Sequence, residues 1–222
     1  MLIFFPHVPK AGGTSLRDAF YKTLGETTCV KVWNPAFGAD VSAGAFSALP
    51  PEAFTDKRAV IGHLKFSEFL DNPHCRDLFD SGRVSSVTCA RHPVDRLISL
   101  YNYIRYNKDH PQHESVKSQV ATDYLMRQTG NTHHAYFRMQ RKDTPQEIVN
   151  RMMVYRLENS LDGFSDYFCG LGYSKPRLRI RNKTQSLARG RRMLRRADLP
   201  ADIVDALLQK HDHDTEIYRL AL

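Results

Sequence analysis

The sequence predicts an α/β fold with a central, mainly parallel sheet flanked by helices. Three observations carry that reading. Runs 2–8, 58–64 and 83–90 are short and apolar or β-branched, as in strands covered on both faces. Between them, apolar residues recur at helical spacing, as Leu16, Ala19, Phe20 and Leu24 do after the first run. Strands that alternate with helices in this way build parallel sheets.

In chain order, run 2–8 is the first strand. It leads through Pro9-Lys10-Ala11-Gly12-Gly13-Thr14-Ser15 into a helix, with Thr14 or Ser15 as N-cap and Gly25 as its stop. Residues 34–57, rich in Ala, Gly, Pro and Ser, read as a loop with one short helix near Pro51. Strands follow at 58–64 and 83–90. The second runs directly into Arg91-His92-Pro93, with Pro93 in the first turn of a helix that carries Val94, Leu97, Ile98, Tyr101 and Ile104 on one face. Residues 107–117 are polar and read as a mobile loop. Helices are predicted at 118–127 and 145–152, a strand at 154–157, a helix at 161–169, and closing amphipathic helices at 200–209 and 212–220.

With 222 residues, 41% hydrophobic and 25% charged, the chain reads as one domain spanning 1–222 and not as a disordered, collagenous or fibrous protein. No run approaches the roughly 18 apolar residues of a membrane span. The start, MLIFFPHVPK, has neither a basic n-region nor a small-residue cleavage site, so a cytoplasmic location is expected. Cys29, Cys75, Cys89 and Cys169 are irregularly spaced and contain no CxxC, which predicts buried free thiols. The net charge is +8. Ten Lys or Arg and no acidic residue fall within 175–196; without them the rest of the chain stands at −2. Such a segment suits a polyphosphorylated ligand, an anionic glycan or solvent. Nucleic acid is not expected, because the segment has no interleaved aromatics and no recognition module.

The loop 9–15 is a phosphate cradle in physical terms. Gly12 and Gly13 let backbone N–H groups approach an anion, the helix start adds partial positive charge, Thr14 and Ser15 add hydroxyls, and Lys10 adds a full charge. It is neither GxxxxGK[ST] nor GxGxxG, since Lys10 precedes both glycines. A second element complements it. Arg91 closes a strand, and Ser99 lies eight residues on, two turns into the next helix. Both would reach one phosphate at the carboxyl edge of the sheet, where open α/β folds bind ligands.

At these residues the sequence resembles a family. PKAGGTS looks like the 5′-phosphosulfate loop of sulfotransferases, and RHPVDRLIS looks like their 3′-phosphate element. The likeness is greatest to the carbohydrate branch that includes heparan sulfate and uronyl 2-O-sulfotransferases, through four elements in order: 9–15, Gly62-His63, 91–99 and RIRNKTQS at 179–186. It extends over about residues 3 to 187 and implies a P-loop-like sulfotransferase fold. It also implies 3′-phosphoadenosine 5′-phosphosulfate (PAPS) as donor, PAP as product and a hydroxyl acceptor, expected on a carbohydrate. Lys10, Ala11, Gly12, Gly13, Thr14 and Ser15 would hold the 5′-phosphosulfate, Arg91 and Ser99 the 3′-phosphate, and Arg181, Lys183 and Thr184 would close over the nucleotide. His63 would be the base and Lys10 would neutralise charge on the leaving oxygen. The family often carries His-Gly-His where this chain has Ile61-Gly62-His63, which weakens any transfer of substrate identity.

The chemistry requires no metal, and none is expected. His133 and His134 are adjacent and do not share a helix face; His211 and His213 lack a third ligand. Two other readings compete: a nucleotide or phosphate-ester kinase with an atypical phosphate loop, and a non-catalytic anion- or nucleic-acid-binding module. The kinase would need an acidic Mg²⁺ ligand ending an apolar strand, and Asp95 is a poor substitute because it starts a helix. The sequence does not specify the acceptor or the oligomeric state.

Overall fold

Strand β1 (Leu2–Pro6) has all five residues buried and takes the centre of the sheet. The computed structural model describes residues 1–33, 39–175 and 183–222. After β1, helix α1 (Gly13–Leu24) covers one face and returns the chain to an edge strand, β2 (Cys29–Val32). Helix α2 (Ala43–Phe46) and a 3₁₀ turn (Pro51–Phe54) lead to β3 (Ala59–Gly62), which pairs with both β2 and β1. Helices α3 (Phe66–Leu70) and α4 (Pro73–Asp80) then carry the chain across to β4 (Val84–Ala90), on the other side of β1. The second half comprises α5 (Pro93–Tyr106), α6 (His113–Lys117), α7 (Ala121–Arg127), α8 (Thr132–Phe137) and α9 (Pro145–Arg151), then β5 (Met153–Arg156). It closes with α10 (Ser160–Gly170), α11 (Lys183–Ala188), α12 (Ala201–Lys210) and α13 (Asp212–Leu220).

The order β2-β3-β1-β4-β5 is parallel throughout. Connections diverge on either side of β1, so the carboxyl ends of β1, β3 and β4 border one crevice, the position where such sheets bind ligands. The sheet core is aromatic: Phe4 stacks on Phe69, and Phe5 on Phe20, with ring centroids 4.1 and 4.9 Å apart. A second apolar cluster lies beside α5 and joins Leu97, Tyr101, Val116, Leu125 and Leu207. Tyr101 and Phe137 are buried in these cores.

Several elements depart from the sequence expectation. Helix α1 begins at Gly13, with Gly12 as N-cap at φ 79° and no side-chain cap, so Thr14 and Ser15 lie inside the first turn. Gly25 does end it. Strand β2 escaped notice because Lys31 interrupts four residues of an edge strand; its ammonium reaches Glu26 and Asp40 at the rim. Helix α4 had a readable start, Asn72 accepting from the Cys75 N–H with Pro73 behind it. The polar stretch 107–117 contains α6. Cys29, Cys75 and Cys89 are buried, whereas Cys169 is exposed. No described helix is long and apolar enough to cross a membrane.

Candidate active site

Both strands beside β1 grip the chain as it leaves the sheet. The His7 N–H donates to Gly62 O at 2.6 Å, the Thr88 hydroxyl to Pro6 O at 2.8 Å, and the Cys89 thiol to Ala11 O at 2.6 Å. Burial pushes the Cys89 thiol's pKa far up, so it remains a donor. The chain entering loop 9–15 is thus fastened from β3 at His7 and from β4 at Pro6, and the loop itself from β4 at Ala11.

Lys10 has φ 69°, a left-handed conformation that costs a non-glycine residue roughly 1–2 kcal/mol. Its surroundings hold it there. Arg91 Nη1 donates to Lys10 O at 3.3 Å, Lys10 Nζ donates to Thr184 Oγ1 at 3.2 Å, and the ammonium lies 4.1 Å from the centre of the Tyr103 ring. The two glycines serve packing as well as anion approach. A Cβ at Gly13 would lie 1.8 Å from His7 Nε2, and one at Gly12 2.2 Å from Leu157 Cδ1. Past them, the Gly13 and Thr14 N–H groups open α1 with no intrahelical acceptor, adding partial positive charge beside Lys10.

Arg91 follows β4, and burial lowers its pKa from an ordinary value so high that it stays charged. Ser99 is on α5, four residues before Tyr103 and therefore on the same helix face, the one that meets Lys10. Thr184 is buried on α11, which packs against α5. Loop 9–15, Arg91, Tyr103 and Thr184 are accordingly joined through Lys10, and Ser99 lies one turn before Tyr103 on α5. Arg181 lies outside the described residues, and Lys183 is placed only as the first residue of α11.

His63 borders the crevice from β3. Its N–H donates to Val32 O at 2.8 Å, its Nδ1 lies 2.9 Å from His7 O, and its ring stacks on His7 with centroids 4.5 Å apart. A carbonyl only accepts, so Nδ1 carries the proton and Nε2 keeps its lone pair. Burial lowers the His63 pKa, with Arg17 adding to the effect and the bond to His7 opposing it. Burial lowers the His7 pKa further still, with His63, Arg17 and Lys10 contributing. Two neutral rings can stack without repulsion. Gly62 is required by the sheet, because a Cβ there would lie 1.9 Å from Val32 O.

Sequence reasoning missed two residues at this edge. Arg17, one turn into α1 past Gly13, holds its guanidinium 5.4 Å from the Trp33 ring and 5.9 Å from Tyr21, with Asp18 at 3.5 Å. Side chains on a helix point back toward its start, and that spacing was the available signal. Trp33, the chain's only tryptophan, directly follows the unrecognised β2.

The described part of the basic segment is tied into the molecule. Leu194 exchanges two hydrogen bonds with the Asn102 side chain, Arg192 pairs with Asp198, Arg196 with Asp95, and Arg191 lies over Tyr106. His133 bonds the buried Asp214, and the Nε2 of His134 bonds Asp143 O.

Residues 2–170 match the sequence model described as "Sulfotransferase family". No curated protein sequence matches the chain. Among solved structures, mouse sulfotransferase SULT7A1 complexed with PAP is similar, with 14% sequence identity and a TM-score of 0.43; the match covers 85% of this chain and 63% of that one. The family match takes in the loop, the Gly62-His63 step and the Arg91–Ser99 element within a single stretch covering most of the sequence, and by it the chain belongs to the sulfotransferase family.

Proposed function

We propose that this protein transfers a sulfuryl group from PAPS to a hydroxyl, and that its acceptor is a carbohydrate. The observation that carries the reading is the meeting of cations from two distant segments: Arg91 donates to the backbone of Lys10, while the Lys10 ammonium bridges Tyr103 and Thr184. Donor chemistry fits these groups. When bound, PAPS supplies an activated sulfuryl group and a phosphate leaving group. Lys10 and the first N–H groups of α1 neutralise charge where the leaving oxygen would lie. Ala11, Gly12, Gly13, Thr14 and Ser15 complete that cradle. Arg91 and Ser99 hold the second phosphate, and Thr184, with Lys183 and Arg181, closes over the nucleotide. Nε2 of His63, its tautomer set by His7 O, takes the acceptor proton.

Trp33 and Arg17 beside His63 support the carbohydrate acceptor: an indole face receives a sugar ring, and a guanidinium pairs with sugar hydroxyls or an acidic substituent. The reading treats residues 1–222 as one catalytic domain in the cytoplasm, where its four unpaired thiols stay reduced.

Two results test it. First, PAP should stabilise the protein selectively over ATP, GTP and NAD. At a hundredfold excess over Kd the gain is about 2.7 kcal/mol, roughly 5–10 °C in Tm for a chain of this size. A shift with ATP and Mg²⁺ but none with PAP would replace the sulfotransferase by a kinase. Second, kcat/KM should fall on the acid side with an apparent pKa below 6.5, the ordinary histidine value, because burial holds His63 in its basic form down to lower pH. An acid limb above 6.5 would count against His63 as the base.

A further inference from the structure

A buried polar chain runs from the last helix to Arg91. Asp214 on α13 is fully buried, as is His133 on α8. The Asp214 carboxylate accepts from the backbone N–H groups of His133 and His134 at 3.1 and 2.9 Å, and from His133 Nδ1 at 3.2 Å. On the far side of the ring, His133 Nε2 accepts from the Arg91 N–H at 3.3 Å. An imidazole that donates from Nδ1 and accepts at Nε2 is neutral and held in one tautomer.

The surroundings reinforce that state. Asn131 Oδ1 accepts from the Asp214 N–H at 3.1 Å, so each helix supplies the cap of the other. His211, also fully buried, accepts from the Asn131 N–H through Nδ1 at 3.2 Å. Arg96, 3% exposed, places a positive charge near the carboxylate and bonds Thr132 at 2.8 Å. Burial alone would raise the Asp214 pKa, but His133 and the His134 N–H outweigh it and hold the carboxyl well below its usual range. A carboxylate, two imidazoles and a guanidinium sealed from water are an expensive way to join two short helices, which apolar residues would join as well.

We propose that Asp214 and His133 are positioning residues for the donor site: the carboxylate fixes the ring, and the ring fixes the Arg91 backbone so that its guanidinium faces Lys10. The site gains an arginine whose main chain is anchored from one side while its side chain is presented on the other. The proposal rests on the reading of Arg91 as a donor-phosphate ligand.

Two substitutions divide the relay at the ring. His133→Asn places an amide where Nδ1 was, keeping the bond to Asp214 and losing the one to Arg91. His133→Gln places an amide oxygen where Nε2 was, keeping Arg91 and losing Asp214. PAP affinity by calorimetry and Tm by scanning calorimetry are measured on both and on Arg91→Ala. Positioning predicts that His133→Asn weakens PAP binding roughly tenfold, the size of effect seen when a group that orients a ligand-binding side chain is removed, with Tm close to the parent. It predicts that His133→Gln lowers Tm more but weakens PAP binding less than His133→Asn, by severalfold, because its amide keeps Arg91 while no carboxylate fixes that amide. If PAP affinity simply follows Tm across the pair, the cluster is a helix clamp and the proposal fails. If Arg91→Ala weakens PAP binding and His133→Asn does not, positioning alone is refuted; if Arg91→Ala binds PAP like the parent, the donor reading fails and the relay falls with it. In the unsubstituted protein, nitrogen-15 spectra should show His133 as the neutral Nδ1–H tautomer. An Nε2–H tautomer would overturn the proposal without any variant.

Discussion

Lys10→Ala should lower kcat by about 10²–10³-fold at saturating PAPS, the usual cost of removing one preorganised group that meets developing charge. The fold should survive. The side chain is at the crevice, against the Thr184 hydroxyl and the Tyr103 face, while the loop backbone is fixed independently by Thr88, Cys89 and Gly62. Alanine is also a non-glycine residue, so it inherits the same left-handed backbone cost. Steady-state kinetics with Tm measured in parallel would check both halves. Unimpaired turnover with an unchanged Tm would remove Lys10 from the chemistry. Lys10→Arg should restore only part of the rate, because a planar fork does not replace a compact ammonium held between a hydroxyl and a ring.

The second large effect belongs to His63. His63→Asn keeps an N–H near the position of Nδ1, so the bond to His7 O can persist, but it has nothing at the position of Nε2. Loss of a general base costs about 10²–10⁴-fold, and kcat should fall within that span. PAP affinity should remain close to the parent, since neither the loop nor Arg91 loses a contact. A non-catalytic binding module would be indifferent in both measurements. A protein that lost PAP binding in step with turnover would show His63 to be part of the nucleotide site and not the base.

Much of this molecule was legible because its function lies at the ends of strands, and strand ends carry strong local signals. Pro9–Ser15 and Arg91–Pro93 are punctuated by Gly and Pro where an apolar run gives way to a helix, and the fold places them at adjacent carboxyl ends, β1 beside β4. The eight-residue step from Arg91 to Ser99 survives as helix geometry. What escaped notice was long-range. Tyr103 reads as one aromatic in a stripe until Lys10 is found over it. Trp33 could not be placed while β2, four residues with a lysine inside, went unseen. His133 and Asp214 are 81 residues apart, and nothing local to either predicts that a carboxylate closes one helix on another. His133-His134 were weighed as metal ligands, and adjacency argued against that; their partners came from elsewhere in the chain. Thr14 and Ser15 are good cap residues by type, but the turn at Gly12 starts the helix before them.

The contact between Lys10 and Thr184 joins residues 174 positions apart. During synthesis β1 emerges before its neighbours β3 (Ala59–Gly62) and β4 (Val84–Ala90), and the threonine arrives later still. A ribosome making this protein therefore carries an aromatic central strand with no partner until β3 emerges, a state open to aggregation or to chaperone capture. The threonine arrives only with α11, after all five strands, so a nascent chain stalled before it would have its sheet assembled around a site still open on that side.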